Sequence, residues 1–267
     1  MESRPLTASL DAIEQALDAW RGDGPFVLGV CGAQGSGKST LAEGLIQRLA
    51  RRGLRAAALS LDDLYLSREK RAGLAQVVHP LFATRGVPGT HDTALGVQLL
   101  DAVRAGDDVV LPRFDKATDD PAPAAAWTAV KGRLDVLIFE GWCVGARPQR
   151  DAALAVPVNA LEAERDPVRT WRRFVNLALA TDYADLFERI DRLVLLAAPG
   201  FEVVRAWRIQ QEHDLRRRVG EGARTMSDDE IGVFIQHYER LTRHILSDMP
   251  DYADLTLRLD ENRHLRV

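Results

Sequence analysis

Sulfur is scarce in this sequence: 267 residues contain two cysteines and three methionines. Cys31 and Cys143 stand alone, which excludes a disulfide framework and any paired-cysteine metal motif, and makes a reducing cytoplasm the expected compartment. Isolated cysteines of this kind behave as small apolar side chains. A dominant charge is also missing, since 35 Lys and Arg against 39 Asp and Glu leave a formal net charge of −4. So weak a field attracts neither nucleic acid nor anionic lipid, and an anion must be held by a local arrangement of donors. Long apolar runs are absent too. Val136 to Phe139 and Leu193 to Ala198 fall far short of the roughly 20 residues that span a bilayer. Glu2, Arg4, Asp11, Glu14 and Asp18 interrupt any apolar stretch of the kind an export signal requires, so no export is expected. No repeat of 20 to 50 residues is visible, which excludes a solenoid. The expected partner is a small molecule, not a nucleic acid or a membrane.

What is present fits a globular chain, with 46% apolar and 28% charged residues and a length suited to one α/β domain carrying insertions. Leu10, Ile13, Leu17 and Trp20 recur at helical spacing, so a helix is expected within 1–24, with the core starting at Phe26. Phe26 to Cys31 reads as a buried strand. Leu41, Leu45, Ile46 and Leu49 mark one face of a helix ending near Gly53, and Leu54 to Ser60 reads as a second strand. This βαβ order implies a parallel sheet. Further strands are expected at Asp108 to Leu111, Leu134 to Phe139, Asp191 to Ala198 and Ala253 to Leu259. The expectation is therefore an α/β fold with a mainly parallel sheet covered by helices on both faces. Two stretches, 78–92 and 113–131, fit no element and flank strand ends where ligands bind in open α/β sheets. Pro121 to Ala126 reads by composition as a surface linker.

Gly32-Ala33-Gln34-Gly35-Ser36-Gly37-Lys38-Ser39, followed by Thr40, satisfies G-x-x-x-x-G-K-[ST] between an expected strand and an expected helix. The glycines let the loop curl with its backbone N–H groups inward, and the helix N-terminus adds partial positive charge. Lys38 is then placed for the β- and γ-phosphates of a nucleotide, and Ser39 for Mg²⁺. Asp135 to Glu140 is an apolar strand ending in a carboxylate, which makes Glu140 the expected acid beside the metal. No N-K-x-D guanine-reading element accompanies these residues. Instead Leu59-Ser60-Leu61-Asp62-Asp63-Leu64-Tyr65 delivers two carboxylates to the same sheet edge, where a base for an acceptor hydroxyl belongs. Helix capping or turn formation is the competing reading of this Asp pair.

In order, GAQGSGKST, SLDDLY, HPLFATRGVPGTHD, LPRFDKATDD, LIFEGWCVGA, WRIQQE and MSDDEI resemble the D-glycerate 3-kinase-like P-loop kinases. These are relatives of the phosphoribulokinase, uridine kinase and pantothenate kinase group, and the resemblance runs from Phe26 to the C-terminus. It implies a single P-loop NTPase domain that uses Mg-ATP to phosphorylate a hydroxyl of a small acidic metabolite, with D-glycerate the first choice. Pantothenate, a nucleoside or a sugar phosphate are alternative acceptors, and a non-catalytic ATP-binding regulator is the alternative of another class. By the match to D-x-F-Y, Asp62 is the implied base, with Leu64 in place of the usual aromatic and Tyr65 beside the substrate. Gly86 to Asp92 matches the acceptor segment, with Thr90 where relatives often carry serine. An acidic acceptor needs cations, and Arg85, Arg113 and Lys116 lie in the two unassigned loops, with Arg113 the first choice. His79, His91, Asp92 and Asp115 are candidates to orient substrate hydroxyls, and the favoured reading of His79 and His91 is a loop histidine satisfied by backbone. Arg205, Arg208 and Gln211 recur every three residues after Pro199, so the resemblance implies a helical lid over about 200–225, with Arg208 on the transferring phosphoryl group. The competing reading of Arg208 is an ion pair with Glu212.

Overall fold

The computed structural model describes residues 4–219 and 226–266. Helix α1 (Arg4–Trp20) buries Leu10, Ile13 and Leu17 on one stripe, and β1 (Phe26–Gly32) is buried along its whole length. Helix α2 (Lys38–Arg51) buries Leu41, Leu45 and Leu49 and leads into β2 (Ala56–Ser60). Helices α3 (Arg68–Val77) and α4 (Thr93–Ala105) follow. Next come four short strands, β3 (Val109–Leu111), β4 (Phe114–Asp115), β5 (Asp120–Pro121) and β6 (Thr128–Val130). Strand β7 (Val136–Gly141) is again wholly buried. Helices α5 (Ala160–Arg165), α6 (Thr170–Ala180) and α7 (Asp182–Phe187) precede β8 (Arg192–Ala197). Helices α8 (Phe201–Val219) and α9 (Asp228–Asp248) lead to β9 (Leu255–Arg258).

The central sheet runs β2-β7-β1-β8-β9, and every neighbouring pair is parallel. Uninterrupted apolar strands such as FVLGVCG and VLIFEG are what a parallel sheet covered by helices on both faces requires. The chain leaves β1 through α2 for β2 at one edge, and the later strands β8 and β9 lie on the other side of β1. The carboxyl end of β1 is thus a topological switch point, where such sheets open a ligand crevice. Among the described residues no helix is long and apolar enough to cross a membrane. Both cysteines are free and buried, and burial pushes the Cys31 thiol up to about 12.

Two expectations about elements change. The strand expected at Asp108 to Leu111 forms, but outside the central sheet: β3 pairs antiparallel with β6. Val110 is 48% exposed, so this strand has one buried face and no place in a layer covered twice. The segment 113–131 is therefore the outer part of a two-ladder arm, with β4 and β5 paired inside it, and Pro121 belongs to a strand instead of a linker. The other unassigned stretch contains a short 3-10 turn, Pro80–Ala83, and a tight passage through Gly86 at φ 136°. A Cβ at Gly86 would lie 1.9 Å from Tyr238 Oη, so only glycine fits. Of the expected lid, 220–225 and the side chains of Arg216 and Arg218 lie outside the described residues.

Buried arginines hold these irregular segments. Arg71, 1% exposed, donates from Nε to Leu66 O (3.2 Å), from Nη1 to Ala83 O (3.3 Å) and from Nη2 to Asp119 O (2.8 Å). One side chain therefore ties α3 to both loops. Arg240 of α9 grips Glu162 of α5 through Nε (2.7 Å) and Nη2 (2.6 Å), and its Nη1 donates to Ala153 O at 2.8 Å. Glu162 is wholly buried. Removing one member of such a pair strands the other charge in the interior. Arg240→Met is accordingly expected to cost about 3–5 kcal/mol in urea unfolding, and a loss below about 1 kcal/mol, the level of an exposed pair, would contradict this reading.

Candidate active site

The Gly32–Thr40 loop forms between the end of β1 and the start of α2. Gly37 caps the helix in the left-handed region at φ 92°, and Gly35 turns at φ 75°. At Gly32 an added Cβ would lie 2.8 Å from Ser36 Oγ and 3.0 Å from Leu196 Cβ. The loop is a concave shell of backbone closed on itself. Within it Ser36 Oγ and Gln34 Oε1 are buried without a hydrogen-bond partner, and Lys38 Nζ donates only to Ala33 O, at 3.3 Å. Buried donors and acceptors are normally satisfied. A group rich in oxygen, seated on the α2 N-terminus, would satisfy Ser36 and Lys38 together.

Ser39 Oγ donates to Glu140 Oε1 at 2.9 Å. Strand register creates this contact, because Glu140 lies opposite both Val30 of β1 and Ser60 of β2 at the carboxyl edge of the sheet. Two hard oxygen donors beside a phosphate cradle match what Mg²⁺ takes from a protein when nucleotide phosphates and water supply its other ligands. Among the described residues no three His, Cys, Asp or Glu side chains converge as a ready-made metal cage. The residues therefore fit a nucleotide-bound magnesium ion, held by Ser39 and Glu140.

Asp62 and Asp63 occupy a 3-10 turn, Leu61–Leu64, after β2, capped by Ser60, whose Oγ accepts from the Asp62 N–H at 3.3 Å. The two carboxylates have different surroundings. Asp63 Oδ1 accepts from the Phe114 N–H and Oδ2 from Arg113 Nη1, both at 3.1 Å, which fastens the β3–β6 arm to the turn. Burial raises the Asp63 pKa against those contacts. Asp62 Oδ1 accepts from Tyr65 Oη at 2.8 Å and Oδ2 from Lys116 Nζ at 2.7 Å. Burial pushes its pKa up, but the charge and hydrogen bond of Lys116, the Tyr65 hydroxyl and the charge of Lys38 outweigh it and hold Asp62 at about 2. The influence of Lys38 puts Asp62 within electrostatic reach of the cradle. Burial first, then the Asp62 charge, raises the Tyr65 pKa well above its usual value, so Tyr65 remains a hydroxyl donor.

The other candidates divide. His91 is buried, stacks on Tyr65 at 4.5 Å between ring centroids and bonds Tyr183 Oη through Nδ1. Burial lowers its pKa to about 3, so it is neutral near pH 7. Arg85 pairs with Asp119 and lies over the Phe114 ring at 5.6 Å. The Arg113 guanidinium is engaged by Asp63, Pro112 O (3.0 Å) and Thr128 Oγ1 (3.0 Å). Lys116 is the exposed cation of the set. Asp92 caps α4 by accepting from the Leu95 N–H, His79 caps the 3-10 turn at Leu81, and Asp115 accepts from the Ala117 N–H at the tip of the arm. Arg208 pairs with Glu212 at 2.7 Å, while Arg205 and Gln211 are exposed. Glu212 is buried and Arg208 half-buried, and Glu212 Oε1 also accepts from the Met226 N–H at 3.0 Å, which links α8 to the approach to α9.

Contacts that the sequence did not signal close the cradle from behind. Trp207 of α8 packs on Gly35 and donates its indole N–H to Glu261 O at 2.7 Å. Arg263 donates from Nε to Gly35 O at 2.5 Å and from Nη1 to Gln210 Oε1 at 3.0 Å. These bonds span up to 228 positions of chain, beyond the range of any local pattern.

Comparison with known proteins is consistent with this geometry. The family described as Methylmalonyl Co-A mutase-associated GTPase MeaB matches residues 9–66, the stretch from α1 through the phosphate loop to the turn after β2. The Uncharacterized kinase mug58 of Schizosaccharomyces pombe is 35% identical over 254 residues, covering 90% of each chain. The chloroplastic D-glycerate 3-kinase of Arabidopsis thaliana is 31% identical over 224 residues, which is 80% of this chain and 46% of that longer one. The solved D-glycerate 3-kinase of Cryptococcus neoformans var. grubii superposes with a TM-score of 0.82 at 26% identity, covering 100% of this chain and 99% of the other.

The cradle makes its own prediction at Gly35, where an added Cβ would lie 2.8 Å from Trp207 Cβ in a left-handed turn. Strain of 1–3 kcal/mol is expected there, so Gly35→Ala should weaken nucleotide binding by about tenfold or more in a fluorescent-nucleotide titration. Unchanged affinity would contradict the assignment of this loop.

Proposed function

Because the chain belongs to the D-glycerate 3-kinase-like P-loop kinases, we propose that it transfers the γ-phosphoryl group of ATP to a hydroxyl of D-glycerate, yielding 3-phosphoglycerate. The observation that carries this reading is Asp62, ionised, oriented by Tyr65 and held beside a cation, Lys116, at the same sheet edge as the phosphate cradle. A carboxylate fits the hydroxyl's proton, and a neighbouring cation fits an acidic acceptor.

In this reading the Gly32–Thr40 amides and Lys38 hold the nucleotide phosphates, and Ser39 and Glu140 hold Mg²⁺, which when bound neutralises charge developing on the phosphates. Tyr65 fixes Oδ1 of Asp62, so Oδ2, which pairs with Lys116 in the empty site, is the oxygen that takes the acceptor hydroxyl's proton late in the transfer. Lys116 and Arg85 supply positive charge for the acceptor carboxylate, and His91, neutral and wedged between Tyr65 and Tyr183, packs the acceptor side. Arg113 acts from further out by holding the arm through Asp63. Arg208 reaches the transferring group only by exchanging Glu212 for it, which makes α8 a lid with a resting partner. The whole chain is read as one kinase domain, with acceptor loops at 78–92 and 113–131 and a lid from about 200, working in the cytoplasm, where free thiols persist.

ADP release with Mg-ATP against D-glycerate, L-glycerate, pantothenate, uridine and ribulose 5-phosphate tests the acceptor. Strong stimulation by D-glycerate is expected, stimulation by another member of the panel would replace the substrate, and silence throughout with ATP still bound would favour a non-catalytic nucleotide sensor. Asp62→Asn should reduce turnover by about 100-fold or more while leaving ATP affinity within about twofold, the pattern of a lost general base. Near-normal turnover in this variant would refute the role of Asp62.

A further inference from the structure

We propose that Lys116 is a specificity-determining cap on Asp62, which an anionic acceptor removes and an uncharged acceptor or water cannot. This inference rests on the kinase reading above and concerns how that site chooses its substrate.

The cap follows from the hydrogen bonds of the two Asp62 oxygens. Oδ1 is taken by Tyr65, a buried side chain wedged against His91 and Phe114. Oδ2 is taken by Lys116 at 2.7 Å. The two partners differ in freedom, since Tyr65 is 5% exposed whereas the Lys116 side chain is 61% exposed on a flexible stem. Only the lysine can leave without unpacking the core.

Its anchorage, by contrast, is rigid. The neighbouring Phe114 N–H is fixed on Asp63, the Asp115 carboxylate shapes the turn through the Ala117 N–H, and Arg71 and Arg85 hold Asp119 on the far side of the arm. Lys116 is thus returned to the same oxygen whenever the site is empty. The other Lys and Arg side chains of these two loops, Arg85, Arg113 and Lys131, already have carboxylate partners in Asp119, Asp63 and Asp108.

An ammonium leaves a carboxylate at small cost when another carboxylate is offered within its reach. It does not leave for a neutral hydroxyl, which offers no charge in exchange. An acceptor carboxylate therefore draws Lys116 across and frees Asp62 Oδ2. The hydroxyl proton then passes to Oδ2 as its oxygen bonds to the γ-phosphorus, and the bond from that phosphorus to the bridging oxygen of ADP breaks. Without an anion the base stays covered, and phosphoryl transfer to water or to an uncharged alcohol is suppressed. Discrimination on these terms acts on turnover as well as on binding.

Lys116→Met separates this device from a lysine that only binds the acceptor. The full chain is assayed for ADP release with no acceptor, with glycerol and with D-glycerate, and ATP affinity is measured in parallel. The cap predicts that kcat/KM for D-glycerate falls while acceptor-free hydrolysis and kcat for glycerol both rise, by about fivefold or more, from the uncovering of a general base. Lys116→Arg, which keeps the charge, should rescue the suppression, with acceptor-free hydrolysis well below that of Lys116→Met. Acceptor-free and glycerol rates unchanged or lowered in Lys116→Met, with D-glycerate use alone impaired, would overturn the cap. The Asp62→Asn control keeps the underlying reading separate, because full D-glycerate turnover in that variant removes the base itself and not only its cover.

Discussion

A single hydrogen bond, Ser39 Oγ to Glu140 Oε1 at 2.9 Å, joins the start of α2 to the end of β7 and sets the spacing on which the site depends. It exists because β1 and β7 are parallel and in register, with Val30 opposite Glu140, so the helix that follows β1 starts level with the carboxylate that ends β7. The same register on the other side of β7 brings Ser60, and with it the Asp62 turn, to that edge. Three strand ends therefore converge without any loop having to reach for the others. Rigid elements hold reacting groups more closely than loops do, and proximity of this kind lowers the entropy that a transfer reaction must overcome.

The acceptor side is built differently. It hangs on loops, and these are stiffened by two arginines, the buried Arg71 and the half-buried Arg113. Arg71 uses its whole guanidinium to tie Leu66, Ala83 and Asp119, while Asp63 ties the arm through Arg113 and the Phe114 amide. Each guanidinium offers five donors in a fixed plane, so one side chain can satisfy several backbone carbonyls that irregular segments leave unpaired. The division of labour between the adjacent aspartates follows from this. Asp63 is occupied with architecture, and Asp62 is the one whose oxygens meet an exposed lysine and a buried tyrosine.

Legibility in the sequence tracked the distance between interacting residues. The phosphate loop is a contiguous string whose meaning lies in glycine torsions and a helix start, so Gly32 to Thr40 could be read directly, as could the acid closing an apolar strand at Glu140. The parallel sheet was legible for the same reason, since its strands are doubly buried and read as continuous apolar runs. Strand β3 was not separable from them, because Val109–Leu111 has the same local look and only its pairing with β6 shows that it stands apart. Arg113 looks in its own neighbourhood like a free cation for an acceptor carboxylate, but its partner Asp63 is 50 positions away. Arg263 and Trp207, which close the cradle, and Arg71, which knits the loops, have no signature in their own neighbourhoods. Their roles depend on contacts that only the folded chain brings together.

The fate of the γ-phosphoryl group, followed by phosphorus NMR in a reaction of the intact protein with Mg-ATP and D-glycerate, decides whether the site transfers it to the primary hydroxyl. One new phosphomonoester resonance, coupled to the two protons of the primary carbon, is expected to appear in step with ADP. Orthophosphate alone, or an ester on the secondary hydroxyl, would contradict that transfer.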